Sequence, residues 1–364
     1  MMRYLFCESS PNFGGQEQQI LLQMAGLGGA GHTCVLACRP GSAIAGEATR
    51  RGLEWVPVPF LNSLHLPSVW ALHRLIRSRA VNVALCHSGH DANILAFAAR
   101  TVLRRPVLLR ARTYLAGRVR PGTVNRFVDR TVVPSEYLRR LIIANPAVRP
   151  GRVQVLRPIV PFEDLQKQSL FPLPDSLAGW LCGRSPVVVQ AAMLRSEKGH
   201  RTTLDAITAL KNRYPNFACV FAGSGPKEAD LRRRVEKLGL VAHVCFAGLV
   251  VPVAPLLARA DVVIMPSRNE PLGLAQLEAL ALGVPVVVSD AGGLPETVVD
   301  GETGWVVPAG DPGAWAAAIA SAVDDPKEAL RRASLGGDWV RAGFSGAAHL
   351  RALDEIVATA RQPR

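Results

Sequence analysis

No apolar run in this sequence approaches the roughly 20 residues that a bilayer-spanning helix needs, and the opening "MMRYLFCESS" lacks the succession of regions that makes a signal peptide. A chain of the cytoplasm is expected, without a membrane span. Cysteine is sparse: Cys7, Cys34, Cys38, Cys86, Cys182, Cys219 and Cys245 stand in mostly apolar surroundings with no C-x-x-C pair. An odd number without metal-ligand spacing points to reduced, buried thiols and away from disulfides or zinc. Repeats of solenoid length and a low-complexity tail are absent, as are helix-turn-helix, RNA-recognition and zinc-finger patterns, so a nucleic-acid partner is not expected. Acids are scarce in one half only. Residues 1–180 hold 22 Lys and Arg against 10 Asp and Glu, a net +12, whereas residues 181–364 hold 20 against 19, a net +1. In the first half every cation but Lys167 is arginine, the side chain best suited to phosphate.

What is present is alternation. The 364 residues, 49% of them hydrophobic, suggest two domains at about 150 residues each. Short β-rich runs ("RYLFC", "TCVLAC", "VNVALC", "PVLLR") alternate with helical stretches ("EQQILLQMAGLG", "SVWALHRLIRSR", "DANILAFAARTVL"). The pattern is that of an α/β, doubly wound parallel sheet covered on both faces. It breaks between Phe162 and Pro186, where Pro172, Pro174, Gly179 and Gly183 cluster, and then resumes with "PVVVQAAM", "FACVFAG", "DVVIMPS" and "VPVVVSD". We therefore expect one domain over 1–170, a second over 171–345, and a last helix over 346–364 that packs back on the first.

Chemistry gathers at the carboxyl ends of the expected strands, where open α/β sheets bind ligands. "SRNEPLGLAQLEALALGVPVVVSD" carries Glu270 and Glu278 on either side of a Pro-Leu-Gly turn. A helix start exposes unpaired N–H groups that attract phosphate, and carboxylates beside it suit sugar hydroxyls; the alternative is a solvated loop residue and a wet helix face. "NFGGQEQQILLQM" places Gly14 and Gly15 between a strand and a helix, for close approach to a ligand or as a simple turn. "LCHSGHDAN" sets His87 at a strand end, as a site residue or a structural one, with His90 and Asp91 starting the next helix. "AAMLRSEKGHRTTLDA" offers Arg195 and Lys198 to one anion. "FAGSGP", with Gly223, and "VSDAGGLPE" are further glycine turns. Together they describe a nucleotide diphosphate site.

At this point "PSRNEPLGLAQLEALALGVPVVVSDAGGLPE" resembles the E-x7-E region of the retaining glycosyltransferases of family 4, whose GT-B fold sets two Rossmann-like domains face to face. "FGGQE", "CHSGHDA", "VVPSEYLRR", "LRSEKGH", "FAGSGP" and "DGETGWVVPAGD" follow in the family's order over roughly residues 10 to 320. The resemblance implies that Glu278 holds the ribose, that Glu270 meets the donor sugar, and that the N–H groups of Leu272, Gly273 and Leu274 hold the diphosphate with Lys198. Gly15 would meet the same diphosphate, and His87 would hydrogen-bond the sugar at its anomeric centre. It further implies a retaining, metal-independent transfer from a nucleoside diphosphate sugar, with no cofactor besides that co-substrate. The sequence contains no Asp-x-Asp motif, in keeping with this. Met193 stands where the family has arginine, so Arg195 is the expected substitute, and "LRPIVPFED" replaces the family's Asn-Gly-x-Asp turn.

The expected acceptor is a glycolipid, lipopolysaccharide or other cell-envelope glycan, lipid-linked and met at the inner face of the membrane. The acid-free stretch from Arg100 to Arg120, including Arg118 and Arg120, would attract an anionic surface. A sugar-nucleotide epimerase of the same architecture and a non-catalytic nucleotide-sugar-binding protein are the alternatives.

Overall fold

Runs such as "VVVQA" and "VVIM" show no polar alternation because their strands are covered on both faces. The computed structural model places them accordingly, at the centres of two parallel sheets. The structure describes residues 1–113 and 121–361; Arg118 and Arg120 lie outside the described residues.

The first unit comprises Met1–Ile159 and the last helix of the chain. Its strands are β1 (Arg3–Glu8), β2 (Thr33–Cys38), β3 (Trp55–Pro57), β4 (Val83–Cys86), β5 (Val107–Ala111), β6 (Arg130–Val133) and β7 (Val153–Val155). They line up in the order β3-β2-β1-β4-β5-β6-β7. Helices α1 (Gly15–Gly29), α2 (Ala43–Arg50), α3 (Leu66–Ser78), α4 (Gly89–Arg100) and α5 (Glu136–Ile143) connect them.

The second unit is Val160–Ser345. It opens with α6 (Phe162–Ser169) and α7 (Asp175–Leu181) and continues through β8 (Val187–Ala191), α8 (His200–Leu210), β9 (Ala218–Ala222), α9 (Glu228–Lys237) and β10 (Val244–Gly248). There follow α10 (Ala254–Ala258), β11 (Val262–Met265), α11 (Ala275–Ala281), β12 (Val286–Ser289), β13 (Trp305–Val307), α12 (Pro312–Asp324) and α13 (Pro326–Phe344). The sheet order is β10-β9-β8-β11-β12-β13. Each sheet reverses its winding once, between β1 and β4 and between β8 and β11, which opens a crevice at the carboxyl ends of those strands.

The division between the units falls at Ile159/Val160 rather than at 170/171. The proline-rich stretch expected to be a linker carries α6 and α7, whose Phe162, Leu165, Leu177 and Leu181 are buried in the core of the second unit. Burying four such side chains, at about 1.5 to 3 kcal/mol each, ties the segment to that core despite its prolines. The last helix, α14 (Gly346–Arg361), packs Leu353, Ile356 and Val357 into the core of the first unit. Cys182 departs from the expected thiol burial and is exposed just after α7.

Candidate functional site

The crevice of the second unit is built from the turns that follow β8 and β11. Lys198 ends a short helical turn, Ser196–Lys198. Next comes Gly199, with φ +73, where an added Cβ would stand 1.9 Å from the Pro266 carbonyl oxygen. Only glycine lets the β8–α8 connection pass this close to the end of β11. The Gln190 amide donates to the Lys198 carbonyl at 2.7 Å, and the Thr203 hydroxyl donates to Gln190 Oε1 at 2.8 Å, so the lysine rises from a fixed base. Its Nζ donates to Glu270 Oε2 at 2.5 Å, and Ser267 Oγ donates to the same oxygen at 3.2 Å. The Glu270 carbonyl accepts from Gly293 N–H at 2.8 Å. Gly292 has φ +69, and a Cβ there would lie 2.1 Å from that carbonyl oxygen. The Glu270 loop is thus pressed against the turn after β12.

Beyond Glu270, the backbone N–H groups of Leu272, Gly273 and Leu274 have no partner among the described residues. The Gln276 amide donates to the Leu272 carbonyl at 2.9 Å and supports the loop from below. Glu278 lies within α11, half-buried, and its carboxylate makes no hydrogen bond or ion pair among the described residues. Burial raises its pKa to about 7. Gly223 follows β9 and donates its N–H to the Gly248 carbonyl at 2.7 Å.

Arg195 goes elsewhere. With Arg201, Lys227 and Arg268 it lines a cleft of about 200 Å³ that neither Lys198 nor Glu270 lines. A tight turn closed by Arg195 N–H on the Met193 carbonyl, at 2.8 Å, redirects the chain, so residue 195 does not inherit the direction of residue 193.

In the first unit His87 follows β4, at the β1/β4 reversal. It is buried, and its Nδ1 lies 3.1 Å from the Cys7 carbonyl oxygen. A carbonyl only accepts, so Nδ1 carries the hydrogen of that bond, and Nε2 is left for a further partner. Asp91 holds the peptide on either side, accepting from Ser88 N–H at 2.8 Å and from His87 N–H at 3.4 Å, while Ser88 Oγ caps α4 through the N–H groups of His90 and Asp91. Burial, and after it the Glu8 carboxylate, push the Asp91 pKa upward. Glu8 accepts from Ser10 N–H and Gln16 Nε2, both at 2.8 Å, and Thr113 Oγ1 donates to Gln16 Oε1 at 3.2 Å. Gly15 is exposed as the first residue of α1, and the preceding Gly14 N–H is taken by Glu17 Oε2 at 2.8 Å. Among the described residues, no three His, Cys, Asp or Glu side chains converge to hold a metal ion.

Sequence reasoning missed Ser267, Gln190, Gln276 and Glu8. Each is a buried polar side chain in an otherwise apolar strand, strand end or helix, and that polarity is the one signal by which it could have been found.

Two family models match the chain, "Glycosyltransferase Family 4" over residues 13–164 and "Glycosyl transferases group 1" over residues 182–336. A GDP-mannose-dependent alpha-(1-6)-phosphatidylinositol monomannoside mannosyltransferase of Mycolicibacterium smegmatis is 36% identical over 191 residues, 50% of each chain. A D-inositol 3-phosphate glycosyltransferase of Jonesia denitrificans is 34% identical over 207 residues, 51% of this chain and 47% of the relative. The chain spans about half the length of these curated relatives. Among solved structures, a glycosyltransferase of Rickettsia africae superposes with a TM-score of 0.83 at 18% identity, covering 100% of this chain and 99% of the other. Anabaena HepE in complex with UDP superposes at 0.80 and 19% identity, covering 98% and 100%. These neighbours share the GT-B fold with the chain.

Proposed function

The chain belongs to glycosyltransferase family 4, and from that premise we propose that it transfers a sugar from a nucleoside diphosphate sugar to an acceptor, retaining the anomeric configuration without a metal ion. The observation that carries this reading is the juxtaposition at the β8/β11 reversal, where Lys198 and Glu270 meet 2.5 Å apart next to the N–H groups of Leu272, Gly273 and Leu274, which have no partner among the described residues. Preorganised donors of this kind stabilise the charge that develops on a leaving diphosphate. A carboxylate one step away accepts from sugar hydroxyls, and Glu278, without a partner among the described residues, accepts from the ribose. His87 offers Nε2 to the donor sugar as an electrostatic and hydrogen-bonding partner. Retention follows from attack on the face the leaving phosphate occupies, assisted by that phosphate. Cofactors play no part in this scheme.

For the acceptor we propose a lipid-linked glycan of the cell envelope at an anionic membrane surface. Of the described arginines in the stretch first singled out, Arg105 pairs with Asp129 at 3.1 Å and Arg100 is spent on two backbone carbonyls. Better support comes from the region leading into α3, where Leu61, Leu64, Leu66 and Trp70 are each more than 60% exposed and Arg74 lies 4.6 Å over the Trp70 ring. Apolar anchors beside cations bind a bilayer interface. No helix among the described residues is long and apolar enough to cross a membrane.

The test is a thermal-shift screen of UDP, GDP and ADP sugars, followed by turnover with and without lipid acceptors and assignment of the product anomer. A ligand at 100 times its dissociation constant adds about 2.7 kcal/mol. Stabilisation by no nucleotide sugar overturns the reading, and conversion of donor without acceptor replaces it with the epimerase. Co-sedimentation with anionic vesicles, reduced in Trp70→Glu, tests the surface; indifference to vesicles at low salt refutes it.

A further inference from the structure

The ammonium that the proposed donor site offers to a diphosphate is already taken. Lys198 Nζ donates to Glu270 Oε2 at 2.5 Å, with the lysine side chain 20% and the glutamate side chain 8% exposed. A pair so little reached by water is weakly screened. Glu270 is also anchored beside Lys198, its carboxylate by Ser267 on the same oxygen and its backbone by Gly292 and Gly293. A phosphate that approaches Lys198 meets a fixed carboxylate competing for the same cation. Like charges sharing one partner repel unless a further donor neutralises one of them.

We infer that Glu270 discriminates donor from product by competing with the diphosphate for Lys198. This rests on the proposed donor site and goes beyond it. When the intact sugar nucleotide binds, sugar hydroxyls donate to Glu270 and replace the ammonium it gives up. When the sugar has left, the nucleoside diphosphate alone offers Glu270 nothing, so the carboxylate reclaims Lys198 and weakens the hold on the product. Glu270 thereby lowers product affinity selectively, in addition to orienting the sugar. The free Oε1 of Glu270, which has no partner among the described residues, is open to a hydroxyl even before Oε2 is released.

The experiment measures the binding of UDP and GDP, and of UDP-glucose and GDP-mannose, by calorimetry for wild type, Glu270→Gln, Lys198→Met and the double variant. The glutamine keeps the shape and loses the charge. Glu270→Gln is expected to bind the nucleoside diphosphate about tenfold more tightly, the scale of one charge-assisted hydrogen bond, while binding the sugar nucleotide no better than wild type. In the Lys198→Met background the same change should have no such effect. Equal or weaker diphosphate binding by Glu270→Gln, while Lys198→Met loses affinity, overturns the inference and leaves the donor site standing. Equal tightening with and without Lys198 also overturns it, because the carboxylate then acts as a general repulsive charge. Failure of wild type to bind any of the four ligands removes the donor site and the inference with it. Glu270→Asp, which withdraws the carboxylate by one methylene, should tighten diphosphate binding to an intermediate degree and guards against misfolding of the glutamine variant.

Discussion

Glu278 offers the sharpest test because its burial and its proposed role act on the same proton. Its carboxyl is half-buried, has no partner among the described residues, and is raised by burial from 4.5 to about 7. A carboxyl whose folded pKa lies above its unfolded value binds more protons in the native state between those two values. Its contribution to stability is therefore fully present below pH 4.5 and lost as pH rises through 7. At about 1.4 kcal/mol per unit, the penalty in the ionised protein is about 3.5 kcal/mol, reduced to about 2 kcal/mol once screening by water at a half-buried site is allowed for. Glu278→Gln keeps the volume and removes the titration. Thermal unfolding of both proteins from pH 5 to 8.5 should show the variant drawing ahead of wild type as pH rises and levelling off about 2 kcal/mol more stable above pH 8. Nucleotide-sugar affinity should do the reverse, because in the proposed role it is the ionised carboxylate that accepts from the ribose hydroxyls. In wild type it should climb through pH 7, and in the variant it should be low and flat. The sugar nucleotide, and not the nucleoside diphosphate, is the right probe, since it lacks a terminal phosphate that titrates in this range. A stability gap that does not change with pH, or an affinity with the same pH profile in both proteins, refutes the reasoning.

His87→Ala should cut turnover by on the order of 10² while nucleoside diphosphate affinity, measured by calorimetry, stays within a few fold; near-normal turnover would return His87 to a structural role. Gly292→Ala forces a Cβ to within 2.1 Å of the Glu270 carbonyl at φ +69, and chemical denaturation should show a loss of at least about 1 to 2 kcal/mol together with reduced sugar-nucleotide affinity. His349, buried with Nδ1 2.6 Å from the Arg157 carbonyl oxygen, is held down to about 4, chiefly by burial. The unfolded chain therefore takes up the proton first, and stability drains as pH falls from 6.5 toward 4, by up to about 1.4 kcal/mol per unit; His349→Asn should flatten that part of the acid-unfolding profile.

The alternation of strands and helices was legible because it is written locally: valine-rich runs bounded by turn residues allow few other readings, and the glycine turns marked the strand ends where the polar side chains stand. Glu270 and Glu278 were visible as carboxylates in an apolar stretch, and Lys198 as a cation before a helix. That Lys198 and Glu270 touch, 72 residues apart in sequence, was not. It depends on β8 lying beside β11, and strand order in a parallel sheet is set by packing between distant segments, which no local pattern records. For the same reason His87 could be placed at a strand end but not given a tautomer, since the Cys7 carbonyl that orients its ring is 80 residues away. Arg195 could not be assigned to a cleft from the sequence, because its backbone hydrogen bond to Met193 and the cleft it lines with Arg201, Lys227 and Arg268 exist only in the folded chain. The linker was misplaced because prolines and glycines mark local breaks, while domain membership is decided by where Phe162, Leu165, Leu177 and Leu181 bury their surface. The sequence by itself determined the elements and the chemical groups at their ends, because backbone propensity and side-chain chemistry are properties of short stretches. Tertiary structure decided which of those groups meet, in which protonation state and with which partners, because distance, burial and competition for a hydrogen bond exist only once the sheets are assembled.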